Sequence, residues 1–145
     1  MTYEGDSVRP LGLVTLNAGY AEEEIDALLS ALSECDRYDA RKRQWPVGRK
    51  LGHAKNLIAG LHASEFAGLL DLIDEAAKLF DRRNALAHNA LYSGTKVVVS
   101  RVSGSEQGVS ADALTELAAQ LSNFRHGLRS FRQRTLEPWL AKQGL

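Results

Sequence analysis

The feature that most restricts the fold is a long apolar helical pattern between Phe66 and Leu86. Phe66, Leu69, Leu70, Ile73, Ala77 and Phe80 define one face, and Leu72, Leu79 and Leu86 add a second stripe at heptad spacing. At about 100° per residue the two stripes cover roughly 200° of the circumference. Asp71, Asp74, Glu75, Lys78 and Arg82 are left for the exposed wedge. A helix apolar over more than half its girth has to touch several helices or a second subunit. The remaining chain must therefore be arranged around it. Ser64 is placed to cap this helix, which shows no break until about His88.

Three further helices are legible. Asn17 is a candidate cap for the first, Glu22, Glu23 and Glu24 crowd its first turn, and Ile25, Leu28, Leu29 and Leu32 carry it to about Tyr38. The second runs from Val47 to roughly Leu61 on Leu51, Ala54, Ile58 and Leu61, with Pro46 marking its boundary. Ser110 opens the last, whose stripe is Leu114, Leu117, Ala118, Leu121, Phe124, Leu128 and Phe131. Pro138 is expected to end it, with Trp139 and Leu140 folding back. Gly5, Pro10 and Gly12 make residues 1–16 an arm whose apolar end docks on the core. Residues 96–102, rich in valine, predict a short strand or half-hairpin before a polar loop at 103–108. The sum is an all-α, four-helix bundle-like, up-down domain. It occupies 1–145 as one unit with its core over roughly 17–137, and a small β excursion joins the third and fourth helices.

Lys and Arg number 18, as do Asp and Glu, so net charge exerts no global pull toward nucleic acid. Local clusters remain. Arg41, Lys42 and Arg43 beside Trp45, and Arg125 and Arg129 on the last helix, are candidate RNA contacts through phosphates and stacking. The alternative for the first cluster is a solvated connection whose Trp45 packs at the core edge. Cys35 is the single cysteine, which excludes an internal disulfide and a cysteine-based metal cluster, and it is expected to pack as a small apolar residue on its helix. His53 and His62 are too far apart for a helical metal pair and lack a carboxylate at ligand spacing, so they read as surface or helix-end residues. No metal or cofactor is expected. The N-terminus lacks the pattern of a signal peptide, and no run of 18 apolar residues occurs; a cytoplasmic protein without membrane association is the expectation.

Within the long helix lies Arg83-Asn84-Ala85-Leu86-Ala87-His88. Asn84 and His88 are i, i+4 neighbours expected within the Phe80–Ile73 face, with Arg83 at its edge and able to swing its long arm to the imidazole. One reading is structural: His88 and Asn84 bond helix ends and nearby backbone, and Arg83 pairs with a glutamate of the first helix. A metal site is a poor second, because no other His or carboxylate is spaced to join His88 locally. The third is a phosphodiester site, with imidazole for proton transfer, guanidinium for phosphorane charge and an amide to orient them.

This hexapeptide resembles the R-x4-6-H signature of the HEPN superfamily, which sits late in the third helix of a four- to five-helix bundle. The acidic start of the first helix, the glycines of the second and the strand-like insert after the histidine also resemble that family, over roughly residues 17–137. The resemblance implies Arg83 and His88 as the active pair and Asn84 as their polar partner. It implies a homodimer formed through the helix that carries them, and metal-independent RNA cleavage by attack of the ribose 2′-OH. Glu22, Glu23 or Glu24 is a candidate additional acid. A toxin or defence effector with a cognate antitoxin or partner protein is the implied setting. Many HEPN domains lack nuclease activity and act as interaction or dimerisation modules, which is the second expectation; a nucleic-acid-binding regulator is the third.

Overall fold

The computed structural model describes the backbone of residues 3–102 and 111–144, and side chains over 9–86, at His88 and over 111–144. Ser110 and the loop at 103–108 lie outside the described residues. The described chain is all-helical: α1 (Tyr3–Ala31), α2 (Ala40–Arg43), α3 (Val47–Gly60), a 3-10 turn (Ser64–Phe66), α4 (Ala67–Val102), α5 (Ala111–Phe131), a π-helical segment (Arg132–Leu136) and α6 (Glu137–Lys142).

The apolar stripes do assemble one core. Ile25, Leu28, Leu29 and Leu32 from α1 meet Leu51, Ala54 and Ile58 from α3, Leu69, Ile73 and Phe80 from α4, and the α5 stripe from Leu114 to Leu128. Each leucine, isoleucine or phenylalanine among them contributes roughly 1.5–3 kcal/mol on leaving water. On α4 the small buried position is Ala76, while Ala77 is exposed. Leu79 and Leu86 are buried and Leu72 packs against the core, so the central helix does use a broad apolar arc.

Several expectations are corrected. Residues 3–16 are not an arm but the first half of α1, and Pro10 is buried within it. A proline inside a helix costs about 3 kcal/mol; here Val14, Ala18 and Ala21 continue the buried face past it. Asn17 is interior rather than a cap, its side chain donating to the Leu13 carbonyl at 3.0 Å. The helix stops at Ala31, not Tyr38, because the next turns tighten to i→i+3 bonds such as Cys35 N to Leu32 O at 2.9 Å. Cys35 consequently sits exposed in that turn instead of packing on a helix. Asp39, accepting from Lys42 N at 3.0 Å, then caps the short α2 within the basic connection.

The strand expected at 96–102 is helix, continuous with α4. β-branched residues cost a helix only a few tenths of a kcal/mol each, whereas a lone strand leaves its N–H and C=O groups without a ladder. Ser64 heads a 3-10 turn without a side-chain cap, and α4 follows directly. Pro138 does not end α5; the chain passes through the π-helical segment, and Pro138 occupies the first turn of α6, where its missing N–H costs nothing. Leu140 does return to the core and Trp139 meets Phe66 edge-on at 5.1 Å.

The direction of the helices is set by their cross-contacts. Arg125 lies over Tyr20, and Arg129 and Arg132 reach Glu24, so residue numbers rise together and α1 and α5 run parallel. Arg82 meets Gln120 and Gly127 lies beside Leu72, so α4 and α5 run antiparallel. Strict up-down alternation of four helices would place the first and last antiparallel, and this chain departs from it.

Candidate functional site

Arg83, Asn84 and His88 lie together on α4, just beyond the turn that buries Leu79 and Phe80. Leu86 is buried between them and anchors this turn. Asn84 and His88 are exposed, which corrects the expectation that they face the core with Phe80. Arg83 is half-buried; its guanidinium lies 5.5 Å from the centre of the Phe80 ring, a cation–π contact, and its Nε is buried without a hydrogen-bond partner. The neighbouring Arg82 is not left in an exposed wedge. It donates to Gln120 at 2.8 Å and approaches Glu116 at 4.0 Å, tying α4 to α5.

The glutamates of α1 are engaged elsewhere. Glu24 is almost wholly buried and pairs with Arg129 at 2.8 Å and Arg132 at 3.3 Å; Arg132 also meets Glu137 at 2.6 Å. Glu22 stands 3.5 Å from Lys50, and Glu23 is exposed. The expected Arg83–glutamate pair therefore gives way to arginines of α5 and the π-helical segment. On the opposite flank of α1, the buried Lys50 ammonium bonds Asp26 at 2.9 Å, and Asp26 also accepts the Tyr38 hydroxyl. Burial, then the bond to Asp26, holds the Tyr38 hydroxyl well above the ordinary range of a phenol.

Of the basic candidates, Arg41 is exposed. Lys42 is drawn to Asp36 at 2.7 Å and the Arg37 carbonyl at 2.6 Å. Its hydrogen bond is the largest influence holding the Asp36 carboxyl below its usual value. Arg43 bonds Ser30 at 2.8 Å over the Tyr38 ring, Arg125 stacks on Tyr20, and Arg129 pairs with Glu24. Arg43 and Arg132 both line an open cleft of about 600 Å³ along α1, together with Glu23, Asp26, Ser30 and Glu137. No residue of α4 lines it. The structure thus brings the two basic segments toward one another but leaves them apart from His88.

Trp45 stands edge-on to His53 at 5.3 Å and carries Arg49 over its ring at 4.1 Å. His53, half-buried rather than a bare surface group, comes within 3.0 Å of Asp36. His62 is a helix-end residue with a left-handed backbone, φ 52°. Among the described residues, no group of three or more His, Cys, Asp or Glu is arranged to hold a metal ion, and no helix is long and apolar enough to cross a membrane.

The ion network of Glu24, Arg129, Arg132 and Glu137 had one sequence signal, the place of Glu24 beside Ile25 and three residues after Ala21 on the buried side of α1. Comparison with known protein families, curated proteins and solved structures gives no match to this chain.

Proposed function

We propose that the protein is a HEPN-like, metal-independent endoribonuclease, acting as a toxin or defence effector and pairing through α4 as a homodimer. The observation that carries this reading is the exposed Asn84–His88 pair, one helical turn apart and adjacent to Arg83 on a firmly anchored helix. An imidazole in that position is accessible to an RNA strand or to a second protomer.

In this reading His88 takes the proton of a ribose 2′-OH as its oxygen attacks the adjacent phosphate. The bond to the 5′-oxygen breaks, that oxygen gains a proton, and the products end in a 2′,3′-cyclic phosphate and a 5′-OH. Arg83 leaves the Phe80 ring to meet the phosphorane charge, and Asn84 orients the imidazole. Arg41, Arg43 and Arg125, whose stacked or exposed guanidinium groups are the most available of the basic set, hold the RNA strand at a distance from the His88 segment. A cognate antitoxin would bind over the same surface.

The test is cleavage of a varied RNA set, including tRNA, by purified protein in EDTA. The reading expects cyclic-phosphate ends and loss of cleavage in His88→Ala with folding intact. Absence of cleavage across the set would overturn it.

A second reading, a non-catalytic helical interaction module, is favoured by Arg83 stacking on Phe80 and Arg82 bonding Gln120. Both arginines then serve as ties within the bundle. This reading expects Arg83→Ala to lower stability while the purified protein leaves every RNA intact.

A further inference from the structure

The outer face of α1 carries Leu13, Leu16 and Tyr20 at 42%, 48% and 37% exposure, the large hydrophobic residues left open among those described. They follow one another at spacings of three and four, so they form a single stripe along one side of the helix. The stripe is bounded by two exposed charges of opposite sign, Arg9 and Glu23. Each lies seven residues, two helical turns, from Leu16. Read from either end about Leu16, the pattern is charge, apolar, Leu16, apolar, charge, with the sign reversed.

That antisymmetry is what a two-fold axis requires. In an isologous contact residue i of one protomer meets residue j of the other, and j meets i. Two copies of α1 crossing antiparallel at Leu16 set Leu16 against Leu16, Leu13 against Tyr20, and Arg9 against Glu23 twice. The apolar stripe supplies the attraction, and the terminal charges fix the register and direction. A parallel pairing would instead oppose like charges at both ends. Arg125, stacked on Tyr20, borders the stripe and stiffens the ring for packing.

We propose that this stripe is a self-association surface whose occupant is the same stripe of a second copy of the chain. The surface is separate from the His88 segment of α4, and the inference does not rest on the catalytic reading.

The experiment is analytical ultracentrifugation of the full chain across micromolar concentrations. It compares wild type, Arg9→Glu, Glu23→Arg, Leu16→Glu and an equimolar mixture of the two charge variants. Arg9→Glu opposes glutamates at both ends, and Glu23→Arg opposes arginines; each alone should halve the mass of the assembly, as should Leu16→Glu. Dissociation constants should rise at least about tenfold. The mixture regains association, because one variant then presents only glutamates and the other only arginines.

All these positions are exposed, so circular dichroism should show the fold unchanged in each. Wild type that stays at monomer mass, or mass unaffected by either charge variant, overturns the proposal. So does a mixture no heavier than its components. Monomeric wild type that pellets with vesicles of anionic phospholipid assigns the stripe to a membrane surface instead and overturns it as well.

Discussion

Glu24 of α1 accepts a hydrogen bond from Arg129 Nε at 2.8 Å, across 105 residues of sequence, and so locks the first long helix parallel to α5. The carboxylate is buried and its second oxygen faces Arg132 at 3.3 Å. Replacing Glu24 by Ala leaves Arg132, itself mostly buried, with only Glu137 as counter-charge. Loss of one partner from such a buried network costs roughly 3–5 kcal/mol. Chemical denaturation of Glu24→Ala should show that loss. Glu24→Leu combined with Arg132→Met should recover at least half, because the paired desolvation is removed with the pair.

Tyr38 predicts an alkaline limb in the stability profile. Its folded-state titration is raised by burial and by Asp26, so the neutral phenol stabilises the fold fully below its ordinary value of 10.0. That contribution fades as pH rises from there toward the higher folded-state value. Melting temperature measured between pH 8 and 11 should fall in wild type and fall less steeply in Tyr38→Phe.

Asp36 predicts an acid limb. Lys42 holds its carboxyl below the ordinary aspartate value of 3.8, so its contribution is present above that value and is lost as pH falls through the lower folded-state one. Asp36→Asn should flatten the fall in melting temperature below about pH 4. Asp36 is solvent-accessible, so added salt should shrink the difference between the two proteins.

Two glycines predict different outcomes for the same substitution. A methyl group at Gly127, inside α5, would meet Leu72 Cδ2 at 3.7 Å, an ordinary contact. Gly127→Ala should therefore gain about 0.5–1 kcal/mol from helix propensity, seen as a rise of about 2–4 °C in melting temperature. At Gly68 the same methyl would stand 3.2 Å from Phe131 Cε2. Gly68→Ala should gain less or lose stability, since the ring must shift.

His88→Ala should leave the protein folded and cost at most about 1 kcal/mol, the worth of a contact made by an exposed side chain. Equal melting temperatures would separate any loss of RNA cleavage from unfolding.

Much of the fold could be read in the sequence where one physical rule dominates. The stripes of α3 and α5, and the broad apolar arc of α4, follow from burial at helical period, and Leu51, Ile58, Leu69, Ile73 and Leu121 are all in the core. Errors arose where tertiary context overrides a local signal. Gly5, Pro10 and Gly12 resemble breaks, yet α1 runs through them. The valines after Lys96 resemble a strand, yet with no second strand among the described residues the helix satisfies the backbone by itself.

The candidate site was legible as a motif but not as a surface. The position of Asn84 and His88 depends on where the core-facing arc of α4 is centred, which Ala76 helps to set and Ala77 does not. The ion network around Glu24 depends on the parallel pairing of α1 with α5, and periodicity is silent on helix direction.

That pairing has a consequence for synthesis. The face of α1 bearing Ala21, Ile25 and Leu28 is made early, while the α5 arginine that reaches Glu24 lies 105 residues downstream. At about 5–20 residues per second, on the order of 5–20 s separate the two on the ribosome. Through that interval the nascent helix presents its apolar side without its main partner. The bundle cannot close until its last long helix has emerged.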